Sequence, residues 1–314
     1  MRFTTPSLGG RGQQFLEAHH WEFAVAYRRL SANKWFIGTE AVTFDTLPLL
    51  GEPMFVKVNS IDATVTYGVT RRLSLALNVP FSSGSHSRFY ADSNRHSVSA
   101  SGLGDVNLIG NFWLRDPLDH ANGNLALGLG VKAPTGRHNV KGGFWTATGT
   151  GQAAVDQSVQ PGDGGWGILL QTQGFWRIAN RTHAYFGGNY LISPRERTEV
   201  PFRSTFVAVP DVYSARLGIA YGLWPEQGVS VSLGGRIDGT PAGDLIGGRD
   251  NWYRRPGSIT YLEPGLAITR GAGTFRLNIP VRVSQHLGPD RSTARLNGGD
   301  LADRLIFVSY STRF

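Results

Sequence analysis

Apolar side chains return at every second position along this chain, segment after segment. No uninterrupted apolar run reaches the roughly 18 residues that a membrane-crossing helix requires. The cleanest segment sets Leu73, Leu75, Leu77, Val79 and Phe81 against Ser74, Ala76 and Asn78. Another sets Leu125, Leu127, Leu129 and Val131 against Ala126, Gly128, Gly130 and Lys132. A period of two puts alternate residues on opposite faces of a strand, whereas helical periodicity is nearly absent. The pattern predicts twelve strands, over residues 21–27, 61–67, 73–81, 106–112, 125–131, 168–176, 183–192, 213–221, 229–237, 262–268, 275–283 and 306–314. Short connections near 70–71, 116–122, 179–181, 225–227 and 270–273 alternate with long ones over 31–53, 82–101, 133–164, 194–210, 239–257 and 285–303.

A soluble sandwich also alternates, with one face packed and one face wet. Here the apolar faces are large and aromatic, and the opposite faces carry too many charges for a dry core. Aromatics such as Trp21, Tyr27, Tyr67, Phe81, Trp176, Tyr213, Tyr221 and Phe314 sit near strand ends, where the interfacial girdles of membrane barrels belong. Within hydrocarbon an unpaired backbone amide costs several kcal/mol, so a sheet spans only by closing on itself. The expectation is all-β: a transmembrane antiparallel up-and-down β-barrel of about 12 strands, with short periplasmic turns and long extracellular loops. Residues 1–18 are assigned to an N-terminal periplasmic segment and 19–314 to the barrel. The first residues lack the apolar stretch of a secretory signal, so placement in the bacterial outer membrane implies a leader already removed.

The end of the chain resembles the closing strand of bacterial outer-membrane barrels: Ile306, Val308, Tyr310, Thr312 and Phe314 share one face. Further pieces are Ser101-Gly102-Leu103-Gly104-Asp105-Val106, Gly130-Val131-Lys132-Ala133-Pro134-Thr135-Gly136, Asp244-Leu245-Ile246-Gly247-Gly248, Arg254-Arg255-Pro256-Gly257 and Glu263-Pro264-Gly265. In order and spacing these resemble a Gram-negative outer-membrane "transporter" family named for the MetA pathway of phenol degradation. That resemblance implies a barrel with a channel role and transfers no catalytic residue.

If the apolar faces meet lipid, the opposite faces line the lumen. They place Arg28, Lys132, Arg216, Arg236, Arg276, Arg282 and Arg313 there as cations, with Glu22, Asp62, Asp105, Asp238 and Glu263 as anions. Such residues either pair and brace the barrel or present an Arg-lined path that favours anions. The loop over 133–164 carries Phe144 and Trp145; it either folds inward as a constriction or stays outside. The stretch before His19 either plugs the lumen or packs lightly. Loop arginines Arg195, Arg197, Arg254 and Arg255 are candidate contacts for lipopolysaccharide phosphates.

The formal net charge of +8 is spread over single arginines without a nucleic-acid motif, so no nucleic-acid partner is expected. No histidine sits in a setting that calls for hydrolase chemistry, and adjacent His19 and His20 would point to opposite strand faces. No enzyme activity, cofactor or metal is expected. The functional expectation is an outer-membrane channel for small solutes with a mild anion preference. Behind it stand a non-conducting scaffold or partner-binding barrel and, third, a lipid-modifying enzyme.

Overall fold

The computed structural model describes residues 15–42, 54–202, 204–247, 251–290 and 298–314. Twelve antiparallel strands form one closed sheet. In chain order they are Trp21–Ile37, Phe55–Gly68, Leu73–Phe89, a fourth in two pieces (Arg95–Leu103 and Asn107–Trp113), Gly123–Lys132, Gly167–Ala179, Thr182–Ile192, Val212–Trp224, Val229–Thr240, Gly257–Arg270, an eleventh in two pieces (Gly273–Asn278 and Val281–Leu287), and Gly298–Arg313. Each strand pairs with its neighbours in sequence, and the twelfth returns to the first with Glu22 opposite Arg313 and Tyr27 opposite Val308. All twelve segments expected from the alternation are strands of this barrel.

The apolar faces point outward. Leu129 is 64% exposed and Leu217 69%, with Phe23, Ile61, Leu75, Leu127, Ile219, Leu233, Leu262 and Tyr310 exposed around the same belt. Exposure on this scale over a continuous band is the signature of a surface that meets lipid. The alternate residues, among them Asn78, Lys132, Arg216, Arg236 and Glu263, are buried inside.

At the long-loop end the strands outrun the expectation. The third continues to Phe89 and the fourth begins at Arg95, so most of 82–101 is ladder and not loop. The physical reason lies inside: Val56, Val58, Val98, Ala100, Ala302 and Leu305 face inward there and pack on a segment of loop. Beyond the lipid it is this packing that carries the ladder upward.

Two strands are interrupted. In the fourth, residues 104–106 leave the ladder, and the Gly104 amide donates to the Pro80 carbonyl at 2.8 Å. In the eleventh, the break falls at Ile279-Pro280, where proline has no amide to donate. The Leu305 amide donates to the Pro280 carbonyl at 2.9 Å. Beyond that point the eleventh and twelfth strands share only the pair Val281 and Arg304, and the Arg282 guanidinium bridges the gap to Asp303.

The outward belt makes a direct prediction. Leu127→Arg should destabilise the folded barrel by roughly 2–4 kcal/mol, as arginine on a lipid face does near the bilayer midplane. Leu245→Arg, on an exposed loop, should cost little. Urea titration of folding in lipid vesicles reads both, and equal tolerance of the two would mean that Leu127 does not face lipid.

Candidate functional site: the lumen, its lid and its charged belt

After the fifth strand the chain turns into the barrel. The Lys132 ammonium lies 3.0 Å from Asp105 and 2.5 Å from Asp163, all at the break in the fourth strand. The Gly136 amide donates to Asp105 Oδ1 at 2.9 Å. The Thr135 hydroxyl donates to the Gly104 carbonyl and accepts from the Val106 amide, both at 2.9 Å. A Cβ added at Gly136 would sit 2.8 Å from the Gly162 Cα, so the two ends of the loop meet where only glycine fits. The interruption of the fourth strand is the latch on which this loop closes.

Between the ends, residues 155–163 cross the lumen as a lid. Val155 and Val159 join the inward valines in one apolar cluster with Tyr261. Val159 rests on Gly84, where an added Cβ would approach its side chain to 2.9 Å. The buried Gln160 amide braces the lid by bonding both backbone groups of Val140 at 3.0 Å. Burial pushes the Asp156 carboxyl up, but Arg255, His86 and hydrogen bonds from Ser158 outweigh it and hold it below the usual carboxylate range. Phe144 and Trp145 lie outside residues 155–163, although Trp145 packs against the edge of the apolar cluster. They lie in a hairpin, Lys141–Thr146 with Gly149–Ala154, where Trp145 stacks on His96 at 3.9 Å and Phe144 meets Tyr90 edge-on.

Beneath the lid is a cavity of about 260 Å³. One side is apolar, with Ile109, Leu169, Leu191 and Val212 packed together. The other presents Asp62, Asn78 and Asn107, and Asn78 donates to the Thr64 hydroxyl at 2.9 Å. The alternation reading assigned polar residues to the whole inner wall, so it missed this apolar side. The signal was present in Ile168-Leu169-Leu170 and Tyr190-Leu191-Ile192, where both strand faces are apolar at once.

The eighth to eleventh strands build the charged belt. Glu263, 1% exposed, takes Arg216 at 3.5 Å and Arg236 at 3.7 Å, while Arg236 also holds Asp238 at 3.0 Å. Asn278 donates to Glu263 Oε1, the oxygen that Arg216 approaches, at 3.5 Å. Arg236 lies over the Phe307 ring, and Arg28 donates to the Ser60 hydroxyl across the first two strands. The Arg216 guanidinium keeps Nε and Nη2 without a hydrogen-bond partner among the described residues, and Arg276 keeps its Nε so. At the short-turn end Arg313 donates to Glu22 at 2.6 Å. There Phe15 enters the barrel mouth against the cluster of Trp113, Ala126 and Phe175.

Of the loop arginines, Arg254 requires a correction. It is buried, forked onto Asp244, and its amide donates to Asp290, so it is turned away from any lipid. Asp244 in turn accepts from the Asp211 amide at 2.7 Å, which ties three loops together. Arg195 donates to the Gly164 and Arg197 carbonyls. Arg197 lies over Phe206, and the exposed Arg255 donates to the Tyr253 hydroxyl.

Two experiments follow from the latch and the lid. Lys132→Met leaves Asp105 and the partly exposed Asp163 without their counter-charge, a loss at or below the roughly 3–5 kcal/mol of a fully buried broken pair. Trypsin cleavage after Arg137 and Lys141 should accelerate while the barrel stays folded; an unchanged rate would rule out the latch. For Asp156, a carboxyl held low in the docked state stabilises that state above its ordinary titration range, and the contribution is lost as pH falls through the lowered value. The Asp156 contribution should therefore hold from neutral pH to that range and be lost in stronger acid, separately from any loosening caused by protonating the buried His86, with Asp156→Asn blunting only the strong-acid response in pH-resolved proteolysis.

No family model matches the chain, and no curated protein matches it. Among solved structures, an outer membrane channel from Pseudomonas putida F1 superposes with a TM-score of 0.67 at 15% identity, over 95% of this chain and 97% of that one. The P. putida toluene transporter TodX gives 0.45 at 10% identity, over 94% and 90%. The β domain of the Bordetella autotransporter BrkA gives 0.48 at 12%, over 94% and 100%. The first of these likenesses bears on the fold: this chain has the architecture of an outer-membrane β-barrel.

Proposed function

We propose that this chain is a channel of the Gram-negative outer membrane, a transport protein and not an enzyme, which passes small solutes by diffusion with a mild preference for anions. Its long loops face the exterior and its short turns the periplasm. The observation that carries this reading is the pair of lumen arginines, Arg216 and Arg276, whose guanidinium N–H groups are not used up by the protein. A buried donor without a partner costs about 1–3 kcal/mol, so a carboxylate or phosphate passing the belt gains what the protein leaves open. The cavity above adds an apolar wall beside polar amides, which suits a small amphipathic anion.

A second reading, a non-conducting scaffold or partner-binding barrel, draws on the lid at one end and Phe15 at the other. Around the barrel, outer-membrane lipids and lipopolysaccharide are the expected neighbours, with Arg197 on an exposed loop toward them.

Planar bilayers separate the two readings. Current steps are expected from the wild type, and their complete absence at every voltage would leave only the scaffold. Under a KCl gradient the reversal potential should have the sign of anion preference. Arg216→Gln combined with Arg276→Gln should move it toward zero with the barrel still folded; cation preference in the wild type would refute the assignment.

A further inference from the structure

On the outer face of the wall, where the first and twelfth strands close the barrel, the ladder slips twice. Leu30 pairs with Leu305, Ala32 with Ala302 and Lys34 with Leu301. The slips open a concavity of about 490 Å³ lined by Arg29, Ser31, Asn33, Asp303, Arg304 and Ile306. Leu30, Ala32, Ala302 and Leu305 belong to the apolar cluster inside the barrel, so the alternate residues Arg29, Ser31 and Arg304 point outward. Lys57, opposite Ser31 on the second strand and flanked by the inward Val56 and Val58, shares that face.

The height of this patch gives it meaning. Going up the outer face, the first strand shows Trp21, Phe23, Val25 and Tyr27 before Arg29. The second shows Tyr67, Val65, Ala63, Ile61 and Asn59 before Lys57, and the twelfth shows Phe314, Thr312, Tyr310, Val308 and Ile306 before Arg304. Three neighbouring strands thus present their first outward charge at the upper margin of the lipid belt, and every one is a cation. Arg29, Lys57 and Arg304 have no hydrogen-bond or ion-pair partner among the described residues. The described carboxylate at the concavity, Asp303, is already held by Lys34 at 2.6 Å and by Arg282. Cations gathered beside low-dielectric hydrocarbon repel one another unless an anion lies between them.

We propose that this concavity binds the phosphate group of a lipid headgroup, with the acyl chains of that lipid lying down the apolar belt over Ile306, Val308 and Tyr27. Guanidinium groups grip phosphate through paired charge-assisted hydrogen bonds, and Lys57 adds a point charge at the rim. The proposal rests on the membrane reading above and names what holds the barrel's closing seam in the outer leaflet. Phosphate is the shared chemistry; a lipid and free inorganic phosphate are separated by the test.

The full chain, purified in detergent and stripped of lipid, is offered diphosphorylated lipid A, dephosphorylated lipid A or inorganic phosphate, and bound species are read by native mass spectrometry. The phosphorylated lipid should be retained, and Arg29→Gln with Arg304→Gln should weaken retention by about tenfold per guanidinium, the order of a charge-assisted hydrogen bond. The variant should still migrate as a folded barrel before heating, with unaltered bilayer currents. Equal retention of the dephosphorylated lipid, or wild-type retention by the double variant, overturns the proposal. Inorganic phosphate displacing the lipid at equal concentration overturns its lipid source. Lipid held by the wild type and lost by the variant, in a protein that passes no current, supports this site while the channel reading falls.

Discussion

Inside hydrocarbon a backbone amide has no water to turn to, and that constraint orders everything else in this molecule. Twelve strands satisfy it by closing, with Glu22 near the start of the first strand and Arg313 at the end of the last paired both through the ladder and through their side chains. Where the ladder breaks, its groups are redirected and not abandoned: the amides of Gly104 and Leu305 turn to the carbonyls of Pro80 and Pro280. At the second break the wall is completed by side chains, Arg282 reaching Asp303 while its guanidinium covers the Phe36 ring.

Closing the sheet turns one face of each strand into an interior too narrow to be filled by water alone, and the charges placed there must find each other. Leaving one charge of such a pair buried alone costs several kcal/mol, which accounts for Glu263 serving Arg216, Arg236 and Asn278 together. Tyr185 fits the same wall because Gly218 and Gly234 face it: a Cβ on either would lie 2.6 Å from its hydroxyl. Pairing and unpartnered polar groups are therefore both present on this wall. The carboxylates anchor the arginines, while Arg216 Nε and Nη2, Arg276 Nε and Glu263 Oε2 stay without a hydrogen-bond partner among the described residues.

The barrel was legible in the sequence because lipid imposes a strict rule at every second residue, and a strict rule leaves a pattern. The strand count and the lipid face follow from that pattern at Leu75, Leu127 and Leu217 alike. The interior was less legible because its rule is weaker: an inward residue needs only a partner, and the partner comes from another strand or a loop. Lys132 and Asp105 were both readable as wall residues, but nothing local says that they join each other and Asp163. Arg254 looked like a surface cation until Asp244, ten residues earlier, proved to hold it in a buried fork. The strand extension to Phe89 was hidden for the same reason, since Val98 and Ala100 meet their packing partners only once the loop over 133–164 has turned inward.

That dependence runs both ways. The lid has too little apolar surface to stand alone in the lumen, and Val155 and Val159 are held because the prolonged strands offer Val56, Val58, Val98 and Ala100. The prolonged strands, lifted beyond the lipid, would expose those same valines to water without the lid. The latch at Asp105, Lys132 and Gly136 sits at the foot of both, and the short motifs Gly104-Asp105-Val106 and Lys132-Ala133-Pro134-Thr135-Gly136 contain every residue it needs except Gly162 and Asp163. These motifs therefore encode a hinge more than a strand end: they stop the fourth strand so that an acid can hold the loop shut. The latch ion pairs and the valine cluster thus hold the lid, while the twelve-stranded wall closes independently of them through its own ladder.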